Sequence, residues 1–227
     1  MKQGLFIVFE GNDGAGKTTA ARLVQKKLAD LGYDVLLTRE PGGTPVSEQI
    51  RAVLLNPDNK DMDPRTEALL YAASRAQHYH QIIAPALEEN RIVLCDRFLD
   101  SSLAYQGAGR ALGMDRIEQI NDFGLGHARP DLTLFLSLPV EACAQRMLKR
   151  GQPDRLDQEK ESFHQRVREG FEDLIRKHPE RYIRIDASES ADQVADRAVE
   201  ALLPLIEDRK ILRRRSPDSG QESERSS

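Results

Sequence analysis

Gly11-Asn12-Asp13-Gly14-Ala15-Gly16-Lys17-Thr18 completes a G-x-x-x-x-G-K-[ST] pattern, with an apolar run before it and a helical period after it. That spacing cradles phosphate. The glycines let the backbone turn so that several N–H groups face one anion, and the helix that follows adds its positive end. Lys17 supplies a mobile charge for terminal phosphates, and Thr18 offers a hydroxyl to Mg²⁺. A nucleoside triphosphate is the expected ligand of residues 11–18 and the adjoining Thr19. The pattern alone does not separate kinases from switches and motors. A guanine-selecting N-K-x-D is missing: in Asn59-Lys60-Asp61-Met62-Asp63 the second carboxylate falls one place late. A motor ATPase is usually longer and carries paired Asp-Glu after an apolar strand, where this chain has Asp96-Arg97.

Asp96-Arg97 closes the run Ile92-Val93-Leu94-Cys95. A carboxylate at the carboxyl end of a strand beside the phosphate loop lies in the crevice where open α/β sheets bind ligands. There Asp96 can hold metal-bound water and Arg97 a second phosphate. Taken alone, the pair reads as a surface ion pair. Tyr71 and Arg75 are four apart, so on a helix they share one face and can address one ring. By themselves they read as a core Tyr beside a solvated Arg.

These residues need a scaffold, and the pattern supplies one. Leu5–Phe9, Val35–Leu37, Ile92–Cys95, Leu132–Leu138 and Tyr182–Ile185 read as buried strands. Helical periods separate them. Lys17–Leu31 ends at Gly32, Thr44-Pro45 and Asp63-Pro64 open two helices, and the second is expected to run to about Glu89. Phe163, Val167, Phe171 and Leu174 mark another, and Ser190-x-x-Gln193 is a capping box before the last. The alternation predicts an α/β fold of the P-loop type: three layers, with a five-stranded parallel sheet and helices on both faces.

Composition sets the remaining bounds. The 227 residues suit one core, and 39% apolar with 31% charged residues is an ordinary soluble composition. A net charge of −4 gives no global basic field for nucleic acid. No apolar run approaches the roughly 20 residues of a membrane span, and Met1–Gly4 leading into Leu5–Phe9 is too short for a signal peptide. Cys95 and Cys143 form no C-x-x-C, which fits a reducing cytoplasm. The five histidines are scattered, and none reads as a metal ligand or base. From Arg209 to Ser227 the composition turns polar and reads as a disordered tail.

With these segments in order, the chain closely resembles the bacterial thymidylate kinase family from about Leu5 to Ile206. The likeness rests on the phosphate loop with its acidic Asp13, Thr38-Arg39-Glu40-Pro41-Gly42-Gly43, Tyr71-Ala72-Ala73-Ser74-Arg75, the Asp96–Gln106 segment and Arg155-Leu156-Asp157. The resemblance implies transfer of phosphate from ATP to dTMP with Mg²⁺ near Thr18 and Asp96. It further implies that Asp13 accepts from the sugar 3′-hydroxyl, and that Arg39 and Arg97, supported by Arg51, hold the monophosphate. Tyr71 would stack on the base where Phe is common, and Arg75 would donate to thymine O4. Ser102 and Gln106 would meet the base edge, and Tyr105 would crowd the 2′ position.

Some members of the family carry an arginine directly after the acidic residue of the loop; this chain has Gly14. Residues 149–158, including Gly151-Gln152-Pro153-Asp154, resemble the family's small lid, from which Arg150 and Arg155 are expected to swing over the triphosphate. Arg146 and the loop after Asp186 are candidates for adenine contacts by the same resemblance. The family is typically homodimeric through helices outside the nucleotide site. A kinase for another nucleotide or a deoxynucleoside, and a switch protein without turnover, remain as alternatives.

Overall fold

The apolar segments pair into one parallel sheet of β1 (Leu5–Glu10), β2 (Val35–Arg39), β3 (Ile92–Asp96), β4 (Leu132–Ser137) and β5 (Tyr182–Asp186), in the order β2-β3-β1-β4-β5. The structure is a computed structural model that describes residues 4–151 and 153–213, with only the backbone of residues 149 and 150. β1, β3 and nearly all of β4 are buried on both faces, which is why they read as continuous apolar runs rather than alternating ones. Alternate side chains serve two cores. Leu5, Ile7 and Phe9 pack with α1 (Lys17–Asp30) and the C-terminal helix, while Phe6 and Val8 pack with the helices of the opposite face.

Helix starts follow the chain's local chemistry. α2 (Pro45–Leu55) begins at Thr44, whose Oγ1 accepts from Ser47 N at 3.1 Å. α3 (Pro64–His78) begins at Asp63, whose Oδ1 accepts from Arg65 N at 2.8 Å. The helix expected to continue to about Glu89 does not run unbroken: a π segment over Tyr79–Ile83 separates α3 from α4 (Ala84–Glu88). Pro85 has no N–H to give Gln81, so the ladder cannot stay regular there.

Two helical stretches fall where the sequence shows no clear period. α5 (Leu99–Ser102) continues as a π segment over Leu103–Gly109, and α6 (Met114–Leu125) follows. α7 (Val140–Arg150) and α8 (Glu161–Lys177) flank the segment that resembles a lid. Within it, Asp154 Oδ1 accepts from Leu156 N and Asp157 N, each at 2.9 Å, so the turn is internally bonded. Gln152 lies outside the described residues.

α9 (Ala191–Asp208) opens with the expected capping box, Gln193 N on Ser190 Oγ at 3.3 Å and Ser190 N on Gln193 Oε1 at 3.2 Å. The packed chain then extends beyond the boundary expected at residue 208. Arg209 Nη2 donates to Asp131 Oδ1 at 2.8 Å, Ile211 is buried, and Arg213 bridges to Tyr33. Residues 214–227, the rest of the expected tail, lie outside the described residues.

Candidate active site

Parallel pairing gathers the site at one sheet edge. Phe9 and Arg39 both stand in register with Asp96, so the ends of β1, β2 and β3 bring Glu10, Arg39 and Asp96 together. The phosphate loop follows β1, and Gly16, at φ 95°, turns it into α1. Lys17 folds back over the loop and donates to Gly11 O and Asn12 O, each at 2.9 Å. Burial, with the Arg97 charge beside it, pushes the Lys17 amine down to about 8, against the pull of Asp13, Asp96 and Glu10. Thr18 Oγ1 donates to Asp96 Oδ2 at 2.5 Å.

A left-handed residue, Arg97 at φ 71°, turns the chain out of β3, and its N–H donates to Phe9 O at 3.0 Å. Its guanidinium bridges the two halves of the site. Nη2 donates to Asp13 Oδ1 at 2.5 Å and Nη1 to Ser101 Oγ at 2.9 Å, while the Tyr105 hydroxyl donates to Asp13 Oδ2 at 2.5 Å. Burial of Asp13 favours its neutral form, but the charges of Arg97 and Lys17 and these hydrogen bonds outweigh it and hold the carboxyl well below the usual range. Glu10, fully buried beneath Arg97, accepts from Phe98 N and Ser101 N at 3.0 Å each and from Ser101 Oγ at 2.7 Å. Burial carries its carboxyl up to about 7, with Arg97 opposing.

One cavity of about 590 Å³ joins the phosphate loop to the second set of residues. Gly14, Gly16, Lys17, Thr18, Thr19 and Arg146 line one end, and Arg39, Arg51, Tyr71, Arg75, Ser102 and Gln106 line the other. Asp13, Asp96, Arg97 and Tyr105 lie between. Gly11, Asn12 and Ala15 form the loop backbone behind it.

Arg51 Nη1 and Arg39 Nη1 both donate to Pro41 O, at 2.8 and 3.3 Å, and Arg39 also pairs with Glu48 at 2.8 Å on the rim. Tyr71 and Arg75 do share one buried helix face. Arg75 is no solvated end: it is 2% exposed and gives Nε to Glu40 Oε2 at 2.6 Å, Nη1 to Asn121 Oδ1 at 2.6 Å and Nη2 to Phe98 O at 3.0 Å. Ser102 Oγ is buried with no partner among the described residues.

Of the basic residues, Arg146 is expected at the adenine and Arg150 and Arg155 over the triphosphate. Arg146 reaches the loop, with Nη1 donating to Ala15 O at 3.5 Å and Nη2 to Ala187 O at 3.1 Å, just after Asp186. Arg155 does not join that group. It is buried on the other side, with Nε on Leu54 O at 2.9 Å and Nη2 on Glu67 Oε2 at 2.6 Å. The Arg150 side chain lies outside the described residues.

The carboxylates that organise these groups, Glu10, Glu40 and Glu67, are not among the residues the sequence marks as functional. The available signal was an acidic residue directly after an apolar strand, as at Glu10, or on the apolar face of a helix, as at Glu67.

No group of three or more His, Cys, Asp or Glu among the described residues could hold a metal by itself. Thr18 and Asp96 instead offer one hydroxyl and one carboxylate side by side. This donor set suits an ion that takes most of its ligands from phosphate and water, as Mg²⁺ does.

Sheet, loop and cavity together define a P-loop phosphotransferase whose acceptor end is lined with guanidinium groups suited to an anion. Comparison with known proteins narrows the class. Residues 9–198 match the family model described as Thymidylate kinase. A thymidylate kinase of Exiguobacterium sp. is 49% identical over 203 residues, 88% of this chain and 96% of that protein. One from Geobacillus sp. is 48% identical over 209 residues, 91% of this chain and 100% of that one. The crystal structure of thymidylate kinase from Ehrlichia chaffeensis is similar with a TM-score of 0.72 at 34% identity, over 88% of this chain and 98% of that chain. The chain belongs to the thymidylate kinase family.

Proposed function

We propose that this protein transfers the terminal phosphoryl group of ATP to dTMP, giving dTDP and ADP for dTTP synthesis. The observation that carries this reading is the single cavity with Lys17 at one end, Arg97 in the middle and the Tyr71–Arg75 face at the other. Two anionic ligands can meet there end to end.

Phosphoryl transfer spreads charge over the moving group, so catalysis is mostly positioning and placement of cations. A phosphate monoester has its second pKa near about 6 and is largely dianionic at neutral pH, so the acceptor needs no strong general base. Lys17 and the loop amides take the donor phosphates. Arg97, with Arg39 and Arg51, takes the acceptor phosphate. Asp13 stays ionised and accepts from the sugar 3′-hydroxyl, and Tyr105, bonded to it, fills the space a 2′-hydroxyl would need. Thr18 and Asp96 would hold Mg²⁺, which would supply charge neutralisation on the donor phosphates.

Residues 149–158 serve as a lid, with Arg150 and Arg146 the cations on the donor side. The buried position of Arg155 argues for an anchoring role instead. Among the described residues no helix is long and apolar enough to cross a membrane. We place the enzyme in the cytoplasm, where two free cysteines and an ATP supply are ordinary. Phe123 on α6 is 96% exposed and Leu69 on the adjoining α3 is 55% exposed, which supports pairing of two chains through these helices.

A coupled ADP-release assay with dTMP, dUMP, dCMP and thymidine tests the reading. dTMP should be the best acceptor and thymidine inert. Turnover of thymidine above dTMP would refute the role of Arg97.

A further inference from the structure

Glu67 lies on α3 one turn before Tyr71 and is completely buried. Its Oε1 accepts from Gln106 Nε2 at 2.9 Å and Arg110 Nε at 3.2 Å, and its Oε2 from Arg110 Nη2 at 2.9 Å and Arg155 Nη2 at 2.6 Å. We infer that Glu67 is a positioning residue for base selection: it holds the Gln106 amide with its NH₂ turned away from the cavity and its carbonyl turned toward the ligand. The inference rests on the dTMP reading above.

A carboxylate flanked by two guanidinium groups stays ionised although burial opposes it, and its carboxyl is held below the ordinary range. An ionised carboxylate only accepts hydrogen bonds. The Gln106 amide therefore has one satisfactory orientation. Turning it over would set its carbonyl oxygen against Glu67 Oε1, leaving the carbonyl without a donor and Oε1 with Arg110 Nε alone, a costly arrangement at a buried site. Arg75 is pinned as firmly, since three of its five N–H groups are bound to Glu40, Asn121 and Phe98. The wall thus offers an acceptor, Gln106 Oε1, and a donor, the remaining N–H groups of Arg75. Thymine presents the complement, N3–H beside O4. Cytosine presents the reverse, a bare N3 beside an amino group. A reversed Gln106 would donate to that N3, and Glu67 prevents the reversal.

Glu67→Gln keeps the shape but can donate as well as accept, so it frees Gln106 to turn. The ratio of kcat/KM for dTMP to that for dCMP should fall about tenfold, the scale of one hydrogen bond exchanged for another. The fall should vanish in a Gln106→Met background. Equal loss for both acceptors is what a purely structural lesion gives, and an unchanged ratio overturns the inference, as does a fall that persists without Gln106. If Glu67→Gln does not fold, the unaltered enzyme still decides. N3-methyl-dTMP should bind about tenfold or more weakly than dTMP, because a methyl group meets the Gln106 carbonyl; equal binding overturns the assignment. An unaltered enzyme that does not distinguish dTMP from dCMP would overturn the dTMP reading, and this inference with it.

Discussion

Arg97 Nη2 lies 2.5 Å from Asp13 Oδ1, which ties the group expected to hold the acceptor phosphate to the loop expected to hold the donor. Because Asp13 also takes the Tyr105 hydroxyl, one carboxylate holds both Arg97 and Tyr105 against the phosphate loop. Arg97→Met should lower kcat/KM for dTMP by about 10²- to 10³-fold, the worth of a donor aimed at developing charge. ATP binding, measured separately by calorimetry, should change far less. Equal losses for both ligands would place Arg97 on the donor side instead.

Glu10 predicts a pH dependence of stability. Its carboxyl rises from an ordinary 4.5 to about 7 in the folded chain, chiefly through burial. Between those values the folded protein holds a proton that the unfolded chain has released. Its contribution is therefore complete below about 4.5, declines as pH rises toward 7, and is lost above that. Glu10→Gln should flatten this decline and raise Tm at pH 8 relative to the parent, since an amide can still accept from Phe98 N and Ser101 N. Parallel Tm profiles from pH 5 to 8 would show that Glu10 does not titrate in this window.

Gly14 cannot take the arginine that some relatives carry at this position. Its φ is 84°, and a Cβ there would fall 2.5 Å from Cys143 O on α7. Gly14→Arg should cost about 1–3 kcal/mol of stability and should not raise kcat. A faster and equally stable variant would mean that α7 yields easily.

Arg155 is an anchor in this geometry. Arg155→Met leaves Glu67 with Arg110 as its one guanidinium partner, beside the Gln106 amide, and should destabilise the fold by about 3 kcal/mol, the lower end for breaking a buried pair. At saturating substrates kcat should fall less than about tenfold, whereas loss of a cation acting on the transferring group costs about 10³-fold or more. Denaturant unfolding with single-turnover kinetics separates the two roles, and a thousandfold loss of kcat at full stability would restore Arg155 to the phosphates.

The legible parts were those written in local spacing. The phosphate loop and the caps at Thr44, Asp63 and Ser190 each declare themselves within a few residues, whereas Asp96-Arg97 gains meaning only from the other segments in order. What stayed hidden depends on partners far along the chain. Glu10 meets Ser101, which is 91 residues away, and Glu67 meets Gln106, which is 39 away, so local spacing hints that each acid faces the interior but not which groups it holds there. The π segment carrying Tyr105 and Gln106 was masked by Gly107 and Gly109, which look like breakers. Gly109 serves close packing instead: a Cβ there would fall 2.7 Å from Phe163 Cε2 on α8. The spacing around Arg155 marks a turn between helices, but only tertiary packing decides whether the side chain faces the phosphates or Glu67.

A crystal grown with dTMP and a non-hydrolysable ATP analogue tests the two-ligand cavity most directly. The expected result is a thymine ring against Tyr71, its phosphate on Arg97 and Arg39, and the donor phosphates on Lys17 and the loop amides. A purine in the acceptor end, or a monophosphate bound away from Arg97, would contradict it.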